Sequence, residues 1–337
     1  MAEAAIEFLD VVKRYGTATA VDRISFSIAK GELVTFLGPS GCGKTTSLRL
    51  IAGLELPTTG QVRIAGRDVS RDPASERNVG MVFQSYALFP HMTVLENVSY
   101  GPTIRGMPRP EARDRARAIL EQVGLGGLEA RLPSELSGGQ QQRVAVARAI
   151  VQQPDVLLFD EPLSNVDAKL RRKVRAEIRD LQQRFGLTAV YVTHDQEEAL
   201  AVSDRIVVMK MGQIAQIGTP SELYERPASA FVADFIGDAN LIEGRVEGGI
   251  FRPAHLALPV QSEDGAATAT IRPERIHLAP GGAATVLSAA YLGSRMEYVV
   301  QDEGLEFLVS RTISDPRMSA GERVDLRIDP DDLILVR

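Results

Sequence analysis

Three short runs of apolar residues punctuate the first two thirds of the chain, and each ends in polar residues. Leu33-Val34-Thr35-Phe36-Leu37 ends at a glycine. Val156-Leu157-Leu158-Phe159 ends in Asp160-Glu161, and Ala189-Val190-Tyr191-Val192 ends in Thr193-His194-Asp195. Continuous apolar strands mark a parallel sheet covered on both faces. Ligands of open α/β sheets bind beyond the carboxyl ends of the strands, so the three polar endings are expected along one edge. Amphipathic segments lie between the runs. From Asp167 to Phe185, the residues Leu170, Val174, Ile178, Leu181 and Phe185 form one apolar stripe at helical spacing. Arg171, Arg172, Lys173 and Arg175 lie largely off that stripe and read as a solvated face.

After about Asp238 the pattern changes. Glycine and proline separate short alternating runs, as in Val324, Leu326 and Ile328 against Asp325, Arg327 and Asp329. Ala269-Thr270-Ile271, Ile276-His277-Leu278 and Tyr298-Val299-Val300 read as further short strands. The chain therefore divides into an α/β part, 1–238, and a small all-β part, 239–337. Its 337 residues suit two domains at roughly 100–200 residues each. A hydrophobic share of 44% and a charged share of 24% are those of an ordinary folded protein. The formal charge of −6 argues against nucleic acid as the main partner. The single cysteine, Cys42, excludes an internal disulfide and fits a reducing compartment. The N-terminus is acidic where a secretory leader is basic, and no run of about 18 apolar residues predicts a membrane helix. Any link to a membrane is expected to run through another protein.

Gly38-Pro39-Ser40-Gly41-Cys42-Gly43-Lys44-Thr45-Thr46 fits the phosphate-binding pattern G-x-x-x-x-G-K-[ST], between a predicted strand and a predicted helix. Its glycines let backbone N–H groups turn toward phosphate oxygens, and the following helix points its positive end at the same anion. Lys44 is expected to reach the β- and γ-phosphates of ATP and Thr45 to ligate Mg²⁺. Cys42 reads as a small residue presenting its backbone. Asp160 is placed to hold Mg²⁺ and Glu161 to orient or deprotonate the attacking water. His194 ends the third strand at the same edge and is a candidate sensor of the γ-phosphate. Leu136-Ser137-Gly138-Gly139-Gln140 opens a helical run and forms a second anion-binding turn. One nucleotide needs one such loop, so the second points to a partner copy that supplies it in trans, closing a two-fold dimer.

These motifs, in this order, resemble the ATP-binding cassette superfamily over about the first 238 residues. The resemblance implies an α/β P-loop fold with an antiparallel β subdomain and a helical subdomain at about 88–155. It implies that Tyr15 stacks on adenine and that Gln84 touches Mg²⁺, takes part in hydrolysis and couples to a permease. It further implies that Ser137, Gly138, Gly139 and Gln140 cap the partner's nucleotide, and that Ser164-Asn165-Val166-Asp167 bridges the two sites. Ile271-Arg272-Pro273-Glu274 and Tyr291-Leu292-Gly293 resemble the OB-like β domain that follows the ATPase in importers for maltose, polyamines, ferric iron, sulfate and molybdate. The segments around Gln84, Ser164–Leu170 and Gly237–Asn240 look most like the ferric-iron and polyamine branches, with ferric iron preferred. The implied partners are a second copy, two transmembrane permease subunits and, indirectly, a periplasmic or extracellular binding protein. The implied place is the cytoplasmic face of the inner membrane. Tyr86, Leu88, Phe89 and Met92 are expected either to dock a permease helix or to fill the subdomain core.

Two other classes fit the sequence less well. A soluble cassette ATPase of DNA repair or translation would carry a long coiled coil, a cysteine cluster or two cassettes, none of which the sequence shows. A non-hydrolysing ligand-binding module conflicts with the complete set of catalytic residues. His255 and His277 lack a local acid or cysteine cluster and do not read as a metal site.

Overall fold

The computed structural model describes residues 3–163, 168–254 and 256–336. It forms two compact units, 1–220 and 221–337. In the first unit, β1 (Ala4–Tyr15) and β2 (Ala18–Ala29) make a long antiparallel ribbon, followed by β3 (Leu33–Leu37), buried at every residue. α1 (Lys44–Ala52) starts at Gly43 and stops at Gly53, both with positive φ. Next come β4 (Thr59–Ile64), β5 (Arg67–Asp68) and β6 (Val79–Val82). α2 (Val94–Ile104) begins with a capping box, in which Thr93 and Glu96 satisfy each other's backbone N–H groups. α3 (Arg109–Gln122) and α4 (Gly138–Ile150) complete the helical part. β7 (Val156–Asp160), α5 (Ala168–Phe185), β8 (Ala189–Val192), α6 (Gln196–Val202), β9 (Arg205–Lys210) and β10 (Gln213–Gly218) follow.

The central sheet runs β10-β9-β3-β8-β7-β6, with β10 antiparallel and the rest parallel. Successive side chains of a strand point to opposite faces, so each inner strand feeds two cores. Leu157 and Phe159 of β7 enter the core shared with α2, α4 and α5. Val156 and Leu158 enter the other, shared with α1 and the antiparallel sheet β2-β1-β4-β5. The expected stripe on α5 holds: Val174, Ile178 and Leu181 are buried. The side chain of Leu170 lies outside the described residues.

The basic face of α5 is only in part solvated. Arg172 and Lys173 are exposed, but Arg171 donates to Asp195 and Arg175 donates to the carbonyl of Glu197. The spacing separated these residues from the apolar stripe; it carried no information about the loop they reach.

The second unit holds all but the first residue of α7 (Pro220–Glu225), α8 (Ala230–Phe235) and two antiparallel sheets. Its strands are β11 (Asn240–Glu247), β12 (Ile250–Arg252), β13 (Leu258–Pro259), β14 (Gly265–Ile271), β15 (Ile276–Tyr291), β16 (Arg295–Asp302), β17 (Leu305–Thr312), β18 (Arg323–Ile328) and β19 (Ile334–Val336). The sheets run β13-β12-β11-β14-β19 and β17-β16-β15-β18, and Phe251, Tyr298 and Phe307 fill the core. The compact unit begins at Ser221, earlier than the boundary at 239 expected from composition. The physical reason is Arg272, which is buried and donates to the carbonyls of Tyr224, Ala233 and Gly237. It satisfies orphan carbonyls at the ends of two helices and so ties them to the strands. Among the described residues no helix is long and apolar enough to cross a membrane.

Candidate nucleotide site

The parallel registers bring the predicted residues to one edge. Phe36 pairs with Val192, Asp160 with Val192, and Val82 with Phe159. Gly38, Gln84, Asp160, Glu161 and His194 therefore all lie at or just beyond the carboxyl ends of parallel strands, along one edge of the sheet.

The loop from Gly38 to Thr46 is shaped for an anion. Gly43 has φ +107°, and a Cβ there would sit 2.6 Å from the carbonyl oxygen of Ala20. The Lys44 side chain is buried and folds back over the loop, donating to the carbonyls of Gly38 at 2.6 Å and Pro39 at 3.0 Å. An ammonium parked on neutral carbonyls is available to a phosphate, whose full charge makes a stronger partner. Cys42 is buried with its Sγ 3.8 Å from Lys44 Nζ, in keeping with its reading as a small loop residue.

Asp160 closes β7. Burial raises its pKa, Arg49 on α1 works against that shift, and the adjacent Glu161 adds to it. A carboxylate held in this way favours a counter-cation. Glu161 has φ +44°, a left-handed conformation that a glutamate adopts at a cost of about 1 kcal/mol. Its N–H donates to the carbonyl of Val192, and its Oε2 lies 3.2 Å from His194 Nδ1. The strained turn thus carries the carboxylate from β7 across to the residue ending the neighbouring strand.

Tyr15 ends β1 and is 45% exposed. Lys13 Nζ lies 4.8 Å from the ring centroid and pairs with Glu55 at 2.7 Å. Burial and the Glu55 carboxylate raise the pKa of the Tyr15 hydroxyl. Neither Lys13 nor Glu55 is marked by any motif; only the fold places them beside the ring.

Ser137 is the N-cap of α4 and closes a capping box with Gln140. Gln140 accepts from the Ser137 N–H at 2.9 Å, leaving the N–H groups of Gly138 and Gly139 at a free helix start. Among the described residues no hydrogen bond joins Ser137–Gln140 to Gly38–Thr46. Asp167 and the rest of the segment 164–167, together with His255, lie outside the described residues.

Gln84 is exposed beyond β6, and the backbone after it is unusual: Tyr86 and Ala87 both have positive φ. Arg148 of α4 holds this turn, donating to the carbonyls of Ala87 at 2.7 Å and Tyr86 at 3.0 Å. Tyr86 and Leu88 pack against the core, so for them the core reading wins. Phe89 and Met92 are half-buried. Phe83, Phe89, Tyr100, Ile104, Arg105 and Arg148 line a groove of about 560 Å³.

Comparison with known proteins decides the family. The ABC transporter profile matches residues 21–164 and the TOBE domain profile residues 269–336. The Fe(3+) ions import ATP-binding protein FbpC of Rhizobium etli is 56% identical over 321 residues, covering 91% of each chain. This chain belongs to the ABC transporter family. Further relatives of the same name occur in Brucella abortus, 56% identical over 91% of each chain, and in Photorhabdus laumondii, 48% identical over 96% of this chain and 95% of that one. Among solved structures, cbiO1 of Clostridium perfringens, part of an ABC transporter complex, has a TM-score of 0.61 at 28% identity, covering 66% of this chain and 90% of that one. A dimeric ATP-binding cassette holding ADP and Pi after hydrolysis has a TM-score of 0.55 at 33% identity, covering 64% of this chain and 98% of that one. This ABC protein is an ATPase with the cassette fold, carrying a TOBE domain.

Proposed function

We propose that this chain hydrolyses ATP as a two-fold homodimer and thereby powers import of ferric iron through partner membrane permeases. The observation that carries the cargo is the 56% identity over 91% of both chains to proteins named for Fe(3+) import. The reading of the cytoplasmic membrane face and of an external binding protein follows from that assignment.

In this reading adenine stacks on Tyr15, and the backbone of Gly38, Pro39, Ser40, Gly41, Cys42 and Gly43 cradles the phosphates with Lys44, Thr45 and Thr46. Thr45, Asp160 and Gln84 would hold Mg²⁺, which supplies neutralising charge at the phosphate oxygens when bound. The fit is chemical: hydroxyl, amide and carboxylate oxygens are hard ligands, and few of them suffice when the substrate's phosphates supply the rest.

Glu161 orients the attacking water and accepts its proton, and His194 steadies the γ-phosphate. Ser137, Gly138, Gly139 and Gln140 of the second copy close over the same phosphate. The capping box at Ser137 and Gln140, which opens α4 as a second anion-binding turn, supports this role. Asp167 is assigned to the bridge between the sites by resemblance. ATP drives closure because the closed dimer binds it more tightly than the open one. The groove beside Gln84 receives a permease helix, and Arg148 links its wall to the helix that begins at Ser137.

The test is uptake of labelled ferric iron and labelled spermidine, in parallel, in cells with and without the gene. Loss of iron uptake alone supports the proposal. Loss of spermidine uptake alone moves the chain to a polyamine importer, and loss of neither removes the cargo assignment.

A further inference from the structure

A buried carboxylate lies just behind the nucleotide edge and has no part in the scheme above. Glu198 on α6 is 3% exposed. It accepts from the Thr193 hydroxyl at 2.7 Å and from the Tyr191 hydroxyl at 3.2 Å, both on buried residues. Its own N–H donates to Asp195 Oδ1 at 3.0 Å, and the Asp195 N–H donates to the Thr193 hydroxyl oxygen at 3.0 Å. Thr193, before His194, is thus tied directly to the Glu198 carboxylate, and Asp195, after it, is tied to the same Thr193 hydroxyl and to the Glu198 backbone N–H. The His194 side chain, by contrast, is 61% exposed and reaches out to Glu161.

Arg171, in the first turn of α5, extends the network. Its Nη1 donates to Asp195 Oδ2 at 2.9 Å, and its Nε lies 3.6 Å from Glu198 Oε1. Burial raises the Glu198 pKa, while the Thr193 and Tyr191 hydroxyls and Arg171 oppose the shift. Burying a carboxylate is costly, and here it is offset by bonds that converge on one short loop.

An exposed imidazole has few packing contacts to fix it, so its place is set by the backbone that carries it. We propose that Glu198 is a positioning residue for ATP hydrolysis: through the Thr193 hydroxyl, which also accepts the Asp195 N–H, its carboxylate holds the backbone on both sides of His194, and Arg171 anchors that loop to the start of α5. The inference rests on the reading of His194 as part of the hydrolytic site. Misplacing a reacting group by about 1 Å can cost on the order of 10²-fold in rate.

The experiment measures kcat and KM for ATP, and the melting temperature, of the purified full-length chain carrying Glu198→Ala, Glu198→Gln, His194→Ala or Glu198→Ala with His194→Ala. Glu198→Ala is expected to lower kcat about tenfold or more with little change in KM, the pattern of an interaction that matters in the transition state. Glu198→Gln should recover a large part of the loss, because its amide oxygen still accepts from Thr193 and Tyr191. In the His194→Ala background Glu198→Ala should lower kcat no further, since its effect passes through the missing ring. If Glu198→Ala fails to fold, Thr193→Val removes the shared hydroxyl and should give the same loss confined to kcat. Equal losses with and without His194, or a parental kcat in Glu198→Ala while His194→Ala is slow, overturns the inference alone. A parental kcat in His194→Ala removes the reading of His194 itself, and the inference with it.

Discussion

The Glu161 carboxylate lies 3.2 Å from the His194 imidazole, although the two residues lie beyond the ends of different strands, β7 and β8. The contact is made by the left-handed backbone of Glu161, which turns the chain off β7 toward the end of β8. If Glu161 is the base, Glu161→Gln keeps the shape of the site and loses proton acceptance. Hydrolysis is then expected to fall about 100-fold or more, with ATP still bound. Size-exclusion chromatography with saturating ATP should show a trapped dimer. A variant that stays monomeric, or that releases phosphate at the parental rate, sinks the assignment.

Asp160 gives a prediction with a definite pH dependence. Its folded pKa is raised by burial, so above that pKa the ionised carboxylate destabilises the folded protein; the cost begins to lift as pH falls through the folded value and is gone below the ordinary carboxylate value. Asp160→Asn should therefore melt at a higher temperature than the parent near neutral pH without nucleotide. The difference should close as the pH drops through the carboxylate range. With Mg²⁺ and ATP the order should reverse, because the variant loses a ligand for the cation. Melting curves across pH, with and without Mg²⁺ and ATP, test both halves.

Two glycines of the phosphate loop should respond differently to alanine. Gly43 is at φ +107° with Ala20's carbonyl in the way of a Cβ, whereas Gly41 is at φ +77° facing open space. Gly41→Ala should cost about 1–2 kcal/mol of backbone strain and weaken nucleotide binding modestly. Gly43→Ala adds a clash with rigid backbone and should abolish the stabilisation of the protein by ATP. Isothermal titration of both variants separates the cases, and equal affinities would show that the loop yields.

Arg272 should govern the second unit. Arg272→Met leaves the carbonyls of Tyr224, Ala233 and Gly237 without their charged donor. A loss of about 2–5 kcal/mol in that unit is expected. Hydrogen exchange of α8 and β14 reads it directly, and unchanged protection would show that water or a neighbouring group replaces the guanidinium.

Much of this was legible from the sequence, for identifiable reasons. The buried strands β3, β7 and β8 are continuous apolar runs, and the polar residues that follow them mark the edge of the candidate nucleotide site. Gly43, Lys44, Ser137 and Gln140 act through local backbone geometry, in which spacing along the chain is spacing in space. Such features are determined by neighbours a few residues apart, and a linear text carries them. Tertiary structure alone decided the rest. It brought Lys13 and Glu55 to Tyr15, Arg49 toward Asp160, Arg148 to the turn after Gln84, and Arg171 and Glu198 around His194. It also placed α7 and α8 in the second unit, through the carbonyls that Arg272 satisfies. Those pairings are long side chains meeting backbone or charge from distant segments, and their partners depend on strand order and register, which no local pattern of residues encodes.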